Sequence, residues 1–449
     1  MTSARTHSRL PDQPCVDCLE PSPGTGRRGL TAPRQVAFWL VAFVLAATML
    51  GTTLPTPLYD IWQGQWHFSD VVVTVTFAVY AAAVMAALLL AGRSSDQAGR
   101  RPVLAAALVC SAVSTVAFIL APDVAVLIAG RVLSGLSAGL VTGTATAAVS
   151  ELVPGRARGR ASLVASTANM GGLSLGPLIA GLFAQFGPSP TALVFEVYLA
   201  VLAAAGLCLA LVPETVRPPR SWPSLRFAGL GLPERGRGEF WAAAVAGFSA
   251  FSLLGLFSAL APTFIGGVLG QHSHAVQGAI VFLLVGVGAL TQVLASGLAS
   301  RLAMMAGLML FLVALALIVL ALSEASLPVF LAGSVAGGVA VGGVFLGSLA
   351  TANRLAPPER RAHTVSTYFV ACYLGLIIPV VGVGIATEFT SIFRAVLGFS
   401  VVLAALSLFA LAGIRRSLAS RLPAGPVPGS GALRSPPAWL MAKLLISRI

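Results

Sequence analysis

Twelve apolar runs, each of membrane-crossing length, constrain this 449-residue chain more than any other feature. They fall at about 36–58, 70–91, 102–120, 123–148, 161–184 and 192–212, then at 240–262, 276–298, 302–322, 327–351, 363–386 and 391–413. A hydrocarbon core of about 30 Å takes about 20 apolar residues in a helix rising about 1.5 Å per residue. Backbone that crosses lipid must also satisfy its own N–H and C=O groups, which helices do and open chain does not. The runs therefore predict an all-α membrane protein of twelve transmembrane helices. Only Ala121–Asp123 separates the third run from the fourth, and only Ser323–Pro328 the ninth from the tenth. Turns that short make their neighbours antiparallel.

Composition closes off the other classes. Hydrophobic residues make up 57% and charged residues 10%, against about 25% charged in a soluble domain. The net charge of +13 does not point to nucleic acid. The basic residues avoid the apolar runs and collect in loops and tails, rather than on one face of a soluble fold. Cys110, Cys208 and Cys372 sit inside apolar runs. Cys15 and Cys18 form a C-x-x-C with no second pair nearby, short of the four ligands a structural zinc needs. His272 and His274 form an H-x-H too sparse for a metal site. No cofactor motif and no cluster with catalytic spacing is evident, so an enzyme is not expected.

Charge position sets the expected orientation. With the N-terminus in the cytoplasm, Arg93, Arg100, Arg101, Arg156, Arg158, Arg160, Arg301, Arg354, Arg360 and Arg361 all fall inside. The central loop with Arg217, Arg220, Arg226, Arg235 and Arg237 joins them. The outer loops keep Asp60, His67, Asp70, Asp123, His272, His274, Glu324 and Glu388, and only Arg394 breaks the pattern. Both termini are thus expected inside, with the chain in the cell membrane and the bilayer as its surroundings.

The two halves resemble each other. Glu151-Leu-Val-Pro154 precedes the fifth run as Arg354-Leu-Ala-Pro357 precedes the eleventh. Pro177 interrupts the one where Pro379 interrupts the other. Phe195-Glu196 opens the sixth run much as Phe393-Arg394 opens the twelfth, which leaves Glu196 and Arg394 free to pair near the outer face. The expected organisation is a disordered cytoplasmic tail (1–34), a six-helix half (35–215), a cytoplasmic loop (216–238), a second, pseudo-symmetric six-helix bundle (239–414) and a cytoplasmic tail (415–449). Within the last tail, Trp439 to Ile449 is apolar with interspersed Lys443 and Arg448, suited either to the membrane surface or to disorder. Tandem repeats of this kind mark transporters, with the solute site near the midplane between them.

The loop between the second and third runs reads Gly92-Arg-Ser-Ser-Asp96-Gln-Ala-Gly99-Arg100-Arg101. Its glycines permit tight turns and close approach. Asp96 suits a helix N-terminus or an arginine, and the arginines suit carbonyls or anionic headgroups. Here the chain resembles the major facilitator superfamily, whose signature G-x-L-x-D-R-x-G-R-R/K is matched at Gly92, Asp96, Gly99, Arg100 and Arg101. Ser94 and Gln97 depart from it. The counterpart in the second half shrinks to Gly297-Leu-Ala-Ser-Arg301, so the resemblance implies a cytoplasmic latch held mainly by the first half.

Two further motifs refine the resemblance. Arg131-Val-Leu-Ser-Gly135 resembles the fourth-span motif R-x-x-Q-G, and it sets Arg131 about 13 Å into its run, near the midplane. The resemblance implies a role in proton coupling or in a charge relay with the loop aspartate. The alternative is a structural arginine bonded to backbone carbonyls. Gly172-Leu-Ser-Leu-Gly176-Pro177-Leu-Ile-Ala-Gly181 resembles the antiporter motif of drug-export branches, although small residues four apart also serve ordinary helix packing. Other titratable candidates for coupling are Asp60 and Glu196, both near outer ends. On the family's architecture the solute cavity draws on Thr52, Thr56, Tyr59, Phe77, Tyr80, Asn169, Phe248, Phe251, Tyr368 and Tyr373, an uncharged aromatic set suited to an apolar or amphipathic solute. The function implied is alternating-access efflux of such a solute by proton antiport, by a protein working as a monomer. Uptake or facilitated diffusion of a neutral metabolite, and a transporter-like sensor without flux, are the alternatives.

Overall fold

The computed structural model describes residues 31–91, 94–154, 158–216, 229–357 and 360–419. Gly92, the C-x-x-C of Cys15 and Cys18, most of the central loop and nearly all of both tails lie outside the described residues.

Twelve helices long and apolar enough to cross a membrane make up the described chain. The first span is broken. α1 (Arg34–Thr53) gives way to a 3-10 turn (Thr56–Leu58) and then to α2 (Tyr59–Trp66). Pro55 and Pro57 have no N–H to continue the helical ladder, so the chain must kink there. It runs on past Leu58 because Trp62 and Trp66 stack, with ring centroids 6.1 Å apart, and Trp62 also stacks on Phe195. α3 (Asp70–Ala91), the short α4 (Ser94–Ala98), α5 (Arg100–Leu120), α6 (Val124–Glu151), α7 (Arg158–Phe186) and α8 (Leu193–Leu211) complete the first half. Asp123 starts α6 by accepting from the Val126 amide at 3.1 Å, an N-cap that satisfies one of the free amides of the first turn.

The second half runs α9 (Arg237–Gly267), α10 (His274–Leu294), α11 (Ser300–Ser323), α12 (Leu327–Leu355), α13 (Arg361–Phe389) and α14 (Ile392–Ala419). Packing repeats with the sequence. α1 lies on α6, α7 and α8 as α9 lies on α12, α13 and α14. α5 packs on α6 and α8 as α11 packs on α12 and α14, and α3 on α6 as α10 on α12. Across the pseudo-twofold, α7 meets α10 and α3 meets α13. Trp39, Leu120, Leu207 and Phe409 point outward from the bundle, where a bilayer would cover apolar surface that water would not tolerate. Glu151, Arg354 and the arginine-rich helix ends share one face, called the basic face below.

Candidate functional site

A cavity of about 270 Å³ lies between the halves. α7 contributes a polar row, Ser162, Ser166 and Asn169, spaced four and three residues apart and so on one helical face. Asn169 donates to Thr142 Oγ1 on α6 at 3.2 Å, and Ser166 donates to Gln292 Oε1 on α10 at 2.7 Å. Opposite stand aromatic rings. Phe251 meets Phe345 at 5.6 Å and Tyr373 edge-on at 5.7 Å, while Phe77 and Tyr80 form another pair at 6.0 Å. Among the described residues no charged side chain lines this space.

The lining runs toward the basic face. On α6 it descends from Ala138 through Thr142 to Thr146, and on α12 it reaches Leu349. A second space of about 280 Å³ shares Ser162, Ser166, Phe345 and Leu349 and continues to Gly159, Ser296 and Asn353, at the helix ends on that face. The opposite face is shut. A Cβ on Gly278 of α10 would land on the Pro177 carbonyl of α7, and one on Gly181 of α7 would land on the His274 carbonyl of α10. Backbone meets backbone here, and only glycine permits it. The His274 amide donates to Gln185 Oε1 at 3.1 Å across the same seam. Gly384 of α13 likewise sits against Thr74 of α3. The protein is therefore open on the basic face and closed on the other.

Arg131 lies above this cavity, not in it. α6 is 28 residues long, so at 1.5 Å per residue Arg131 is about 10 Å from the end opposite the basic face and about 30 Å from the basic end. The side chain is fully buried. Its Nε donates to Tyr59 Oη and its Nη1 to the Thr52 carbonyl, both at 2.6 Å. That carbonyl lies at the proline break of the first span, where α1 is ending. The guanidinium stands 5.2, 5.5 and 5.9 Å from the ring centroids of Tyr59, Tyr80 and Phe118. Such rings stabilise a cation through their quadrupoles. Nη2 has no hydrogen-bond partner among the described residues.

Of the expected cavity residues, Phe77, Tyr80, Asn169, Phe251 and Tyr373 line the space. Tyr59 is turned to Arg131 instead, and Thr52 offers Arg131 its carbonyl. Thr56 is buried in the 3-10 turn. Tyr368 is buried within the second half, sharing a 2.7 Å hydrogen bond with Ser348 Oγ. The Phe248 carbonyl receives Ser252 Oγ at 2.8 Å, and its ring is not part of the lining. Asp60 and Glu196, in the first turns of α2 and α8, lie off the cavity. Glu196 and Arg394 are both exposed and form no ion pair. Gly172 and Gly176 pack α7 onto α1, while Pro177 and Gly181 pack it onto α10.

At the basic face the signature loop builds a network that extends beyond its own residues. Arg100 Nη2 lies 2.7 Å from both Asp96 and Glu151, and Ser95 Oγ accepts from Nη1. Glu214 accepts from the Arg100 and Arg101 amides at 2.8 and 3.0 Å, capping α5. Gly99 takes a φ of +96°, and a Cβ there would crowd the Glu214 carboxylate. Thr215 Oγ1 donates to Glu151 at 2.6 Å, and Arg101 reaches the Ala210 carbonyl at the end of α8. In the sequence Glu151 stands out only as the start of the repeated Glu151-Leu-Val-Pro154 segment, and Glu214 lies in Val212-Pro-Glu-Thr215 just after the sixth apolar run. The second half holds its own cluster: the buried Glu239 Oε1 accepts from Arg301 at 2.7 Å and also from Arg354. Arg301, the remnant of the shrunken loop, is therefore fixed by an acid from the start of α9.

Comparison with known proteins agrees with this geometry. A profile of the Major Facilitator Superfamily matches residues 41–378. The fold is similar to a bacterial homologue of the human lysosomal transporter Spinster in an inward-facing, unoccupied conformation, with a TM-score of 0.67, 18% identity, 88% of this chain and 100% of that chain covered. The same homologue in an inward-facing, occupied conformation gives 0.65 at 17% identity, again covering 88% and 100%. The human organic anion transporter MFSD10 (TETRAN) gives 0.61 at 19% identity, covering 86% of this chain and 100% of that one. At these identities the structures speak for the fold, and the family match over most of the length carries the assignment. Twelve membrane-length helices among the described residues, in paired bundles around a cavity that reaches the basic face, with that match, place the chain in the major facilitator superfamily, as a multi-pass membrane transporter working by alternating access and not an enzyme.

Proposed function

We propose that the chain exports a small, uncharged, apolar or amphipathic solute across the cell membrane. The observation that carries this reading is the uncharged cavity, with its hydroxyl and amide row on α7 facing aromatic rings. Such a lining fixes a polar end by hydrogen bonds and an apolar body by ring contact. The basic face is taken as cytoplasmic because loop arginines stay on that side, which makes the conformation inward-facing, with both termini inside. Export is supported by the Gly172-to-Gly181 segment, which resembles the antiporter motif and supplies the outer seam through Pro177 and Gly181. The cargo of the organic anion transporter is not carried over. Among the described residues no cation lines the cavity, and Arg131 is enclosed by Tyr59, Tyr80 and Phe118.

Proton antiport needs a titratable group that meets both sides. Asp60, Glu196 and Arg131 are not among the residues that line the cavity. That observation favours a second reading, facilitated diffusion of the same solute class. Purified protein in proteoliposomes, tested with neutral, anionic and cationic solutes under imposed pH gradients, separates the readings. Neutral solutes should move and charged ones should not. Acceleration by a proton gradient, with protons moving in return, supports antiport; equal flux without one supports facilitated diffusion. Absence of flux for every solute would refute transport and leave the sensor.

A further inference from the structure

On the outside of the second half, at the basic face, α9 and α14 leave a groove of about 1080 Å³. Its floor is small: Gly238, Ala242 and Gly413. Gly413 lies close enough that a Cβ on it would sit 3.0 Å from Ala242, whereas one on Gly238 would meet nothing within 4 Å. The walls are Trp241, Val245 and Phe409, and Arg416 stands at the mouth. Trp241 is 45% exposed and Phe409 61% exposed. Neither the Trp241 indole N–H nor the Arg416 guanidinium has a hydrogen-bond or ion-pair partner among the described residues.

We propose that this groove binds one anionic phospholipid, its phosphate held by Arg416 and the Trp241 indole N–H and one acyl chain lying along Val245 and Phe409. The geometry fits a lipid laid along the protein. Phe409 precedes Arg416 by seven residues, about 10 Å along the helix, the depth at which acyl chain replaces headgroup. Tryptophan is at home at that boundary. Charge selects an anion. Arg416 lines the groove, Arg237 falls in the chain between its lining residues Gly236 and Gly238, and Arg415 precedes Arg416. Glu239, which lines the groove floor, is already held by Arg301 and Arg354. The Arg237 Nε donates to the Pro233 carbonyl at 3.3 Å, and among the described residues Arg237 forms no ion pair. A zwitterionic lipid would fill the same space without drawing on this excess.

The test uses full-length protein in phosphatidylcholine bilayers containing brominated phosphatidylglycerol or brominated phosphatidylcholine. Tryptophan quenching is read for the native chain and for Trp241→Phe, and the difference isolates Trp241 from the other five tryptophans. Each interfacial arginine contributes about 1 kcal/mol of attraction, so the expected preference for phosphatidylglycerol at Trp241 is about five-fold. Arg416→Gln should bring it close to one. Gly238→Leu, whose Cβ would meet no protein atom within 4 Å and whose side chain would occupy the groove, should do the same while leaving Arg416 in place. Equal quenching by both lipids would overturn the proposal, as would a preference that survives both substitutions. Loss in Arg416→Gln with retention in Gly238→Leu would overturn it too, reducing the effect to attraction by an open basic surface.

Discussion

Alternating access makes a quantitative demand on the seam between α7 and α10. In the present conformation Gly278 rests against the Pro177 carbonyl, and Gly181 is at the same crossing. Gly278→Ala places a methyl where a backbone oxygen stands. Overpacking of this kind costs about 1–3 kcal/mol, because backbone at a helix crossing has no rotamer to yield. The cost falls only on the state in which the seam is shut, since α7 and α10 separate there when the outer face opens. The gain in helix propensity over glycine is common to both states and cancels. The ratio of molecules open on the basic face to molecules open on the other should therefore fall by a factor of about 5 to 160. Thr146 lines the inner cavity, is exposed to it and reports the ratio. In a chain stripped of its five cysteines, Thr146→Cys should label with an impermeant maleimide more slowly once Gly278→Ala is added. Gly171→Ala is the control, since a Cβ there meets nothing within 4 Å. Gly181→Ala should act in the same direction and combine less than additively with Gly278→Ala, because the two share one contact. Unchanged labelling in Gly278→Ala would refute the seam as a state-selective contact, and an equal effect from Gly171→Ala would reduce it to general destabilisation.

Asp96→Asn should slow cycling without impairing insertion, and should cost under about 1 kcal/mol of stability because the Asp96 side chain is 58% exposed and Arg100 keeps its pair with Glu151; transport rates and membrane yield check both. Glu239→Gln leaves Arg301 and Arg354 side by side without their shared acid, and should destabilise the protein by about 3 kcal/mol. Thermal unfolding in detergent reads this, and adding Arg301→Gln should restore part of the loss. Tyr59→Phe removes the Nε acceptor from a buried arginine and should cost about 1.5–3 kcal/mol while leaving solute affinity unchanged. A rise in KM would place Tyr59 at the solute after all.

Which parts of this were legible in the sequence follows from the range of the interactions. Span number depends on local composition, and twelve apolar runs became twelve helices. The four-residue spacing of Gly172 and Gly176 could be read within one helix too, but not that α1 is the helix they pack against. What escaped depends on partners far along the chain: Glu151 and Glu214 reach Arg100 across 51 and 114 residues, and Arg354 reaches Glu239 across 115. The cavity was half legible for a geometric reason. Tyr368 and Tyr373 are five residues apart on α13, about 140° around the helix axis, so one enters the cavity and the other turns into the second half. The row of Ser162, Ser166 and Asn169 was available as a periodic signal, but hydroxyl residues in membrane helices mostly bond their own backbone. Arg131 stands out in the sequence, since an arginine inside an apolar run is a costly charge. That the proline break would present the Thr52 carbonyl to it could not be read from α6 alone.

The repeat carries one more consequence, for the conformation in which the basic face closes. Glu151 ends α6 and Arg354 comes near the end of α12, at equivalent positions in the two halves, with opposite charge. In the open state each is occupied within its own half, Glu151 by Arg100 and Arg354 by Glu239. Closing the face swings the ends of α6 and α12 toward each other about the pseudo-twofold. A strict repeat would bring like charges together there and oppose closure. The exchanged charge makes the approach attractive, and both groups keep solvent-exposed surface in the open state from which to engage. Such a pair, partly solvated, contributes on the order of 1 kcal/mol to the closed state. Glu151→Arg should therefore slow closure of the basic face, since Arg354 then meets a cation. The double exchange Glu151→Arg with Arg354→Glu should recover more of the transport rate than either single change predicts. The exchange also disturbs Arg100 and Glu239, so recovery is compared with Glu151→Gln, which breaks the open-state pair without creating repulsion. If Glu151→Arg transports as fast as Glu151→Gln, the ends of α6 and α12 do not meet when the face closes, and the charge exchange serves each half separately.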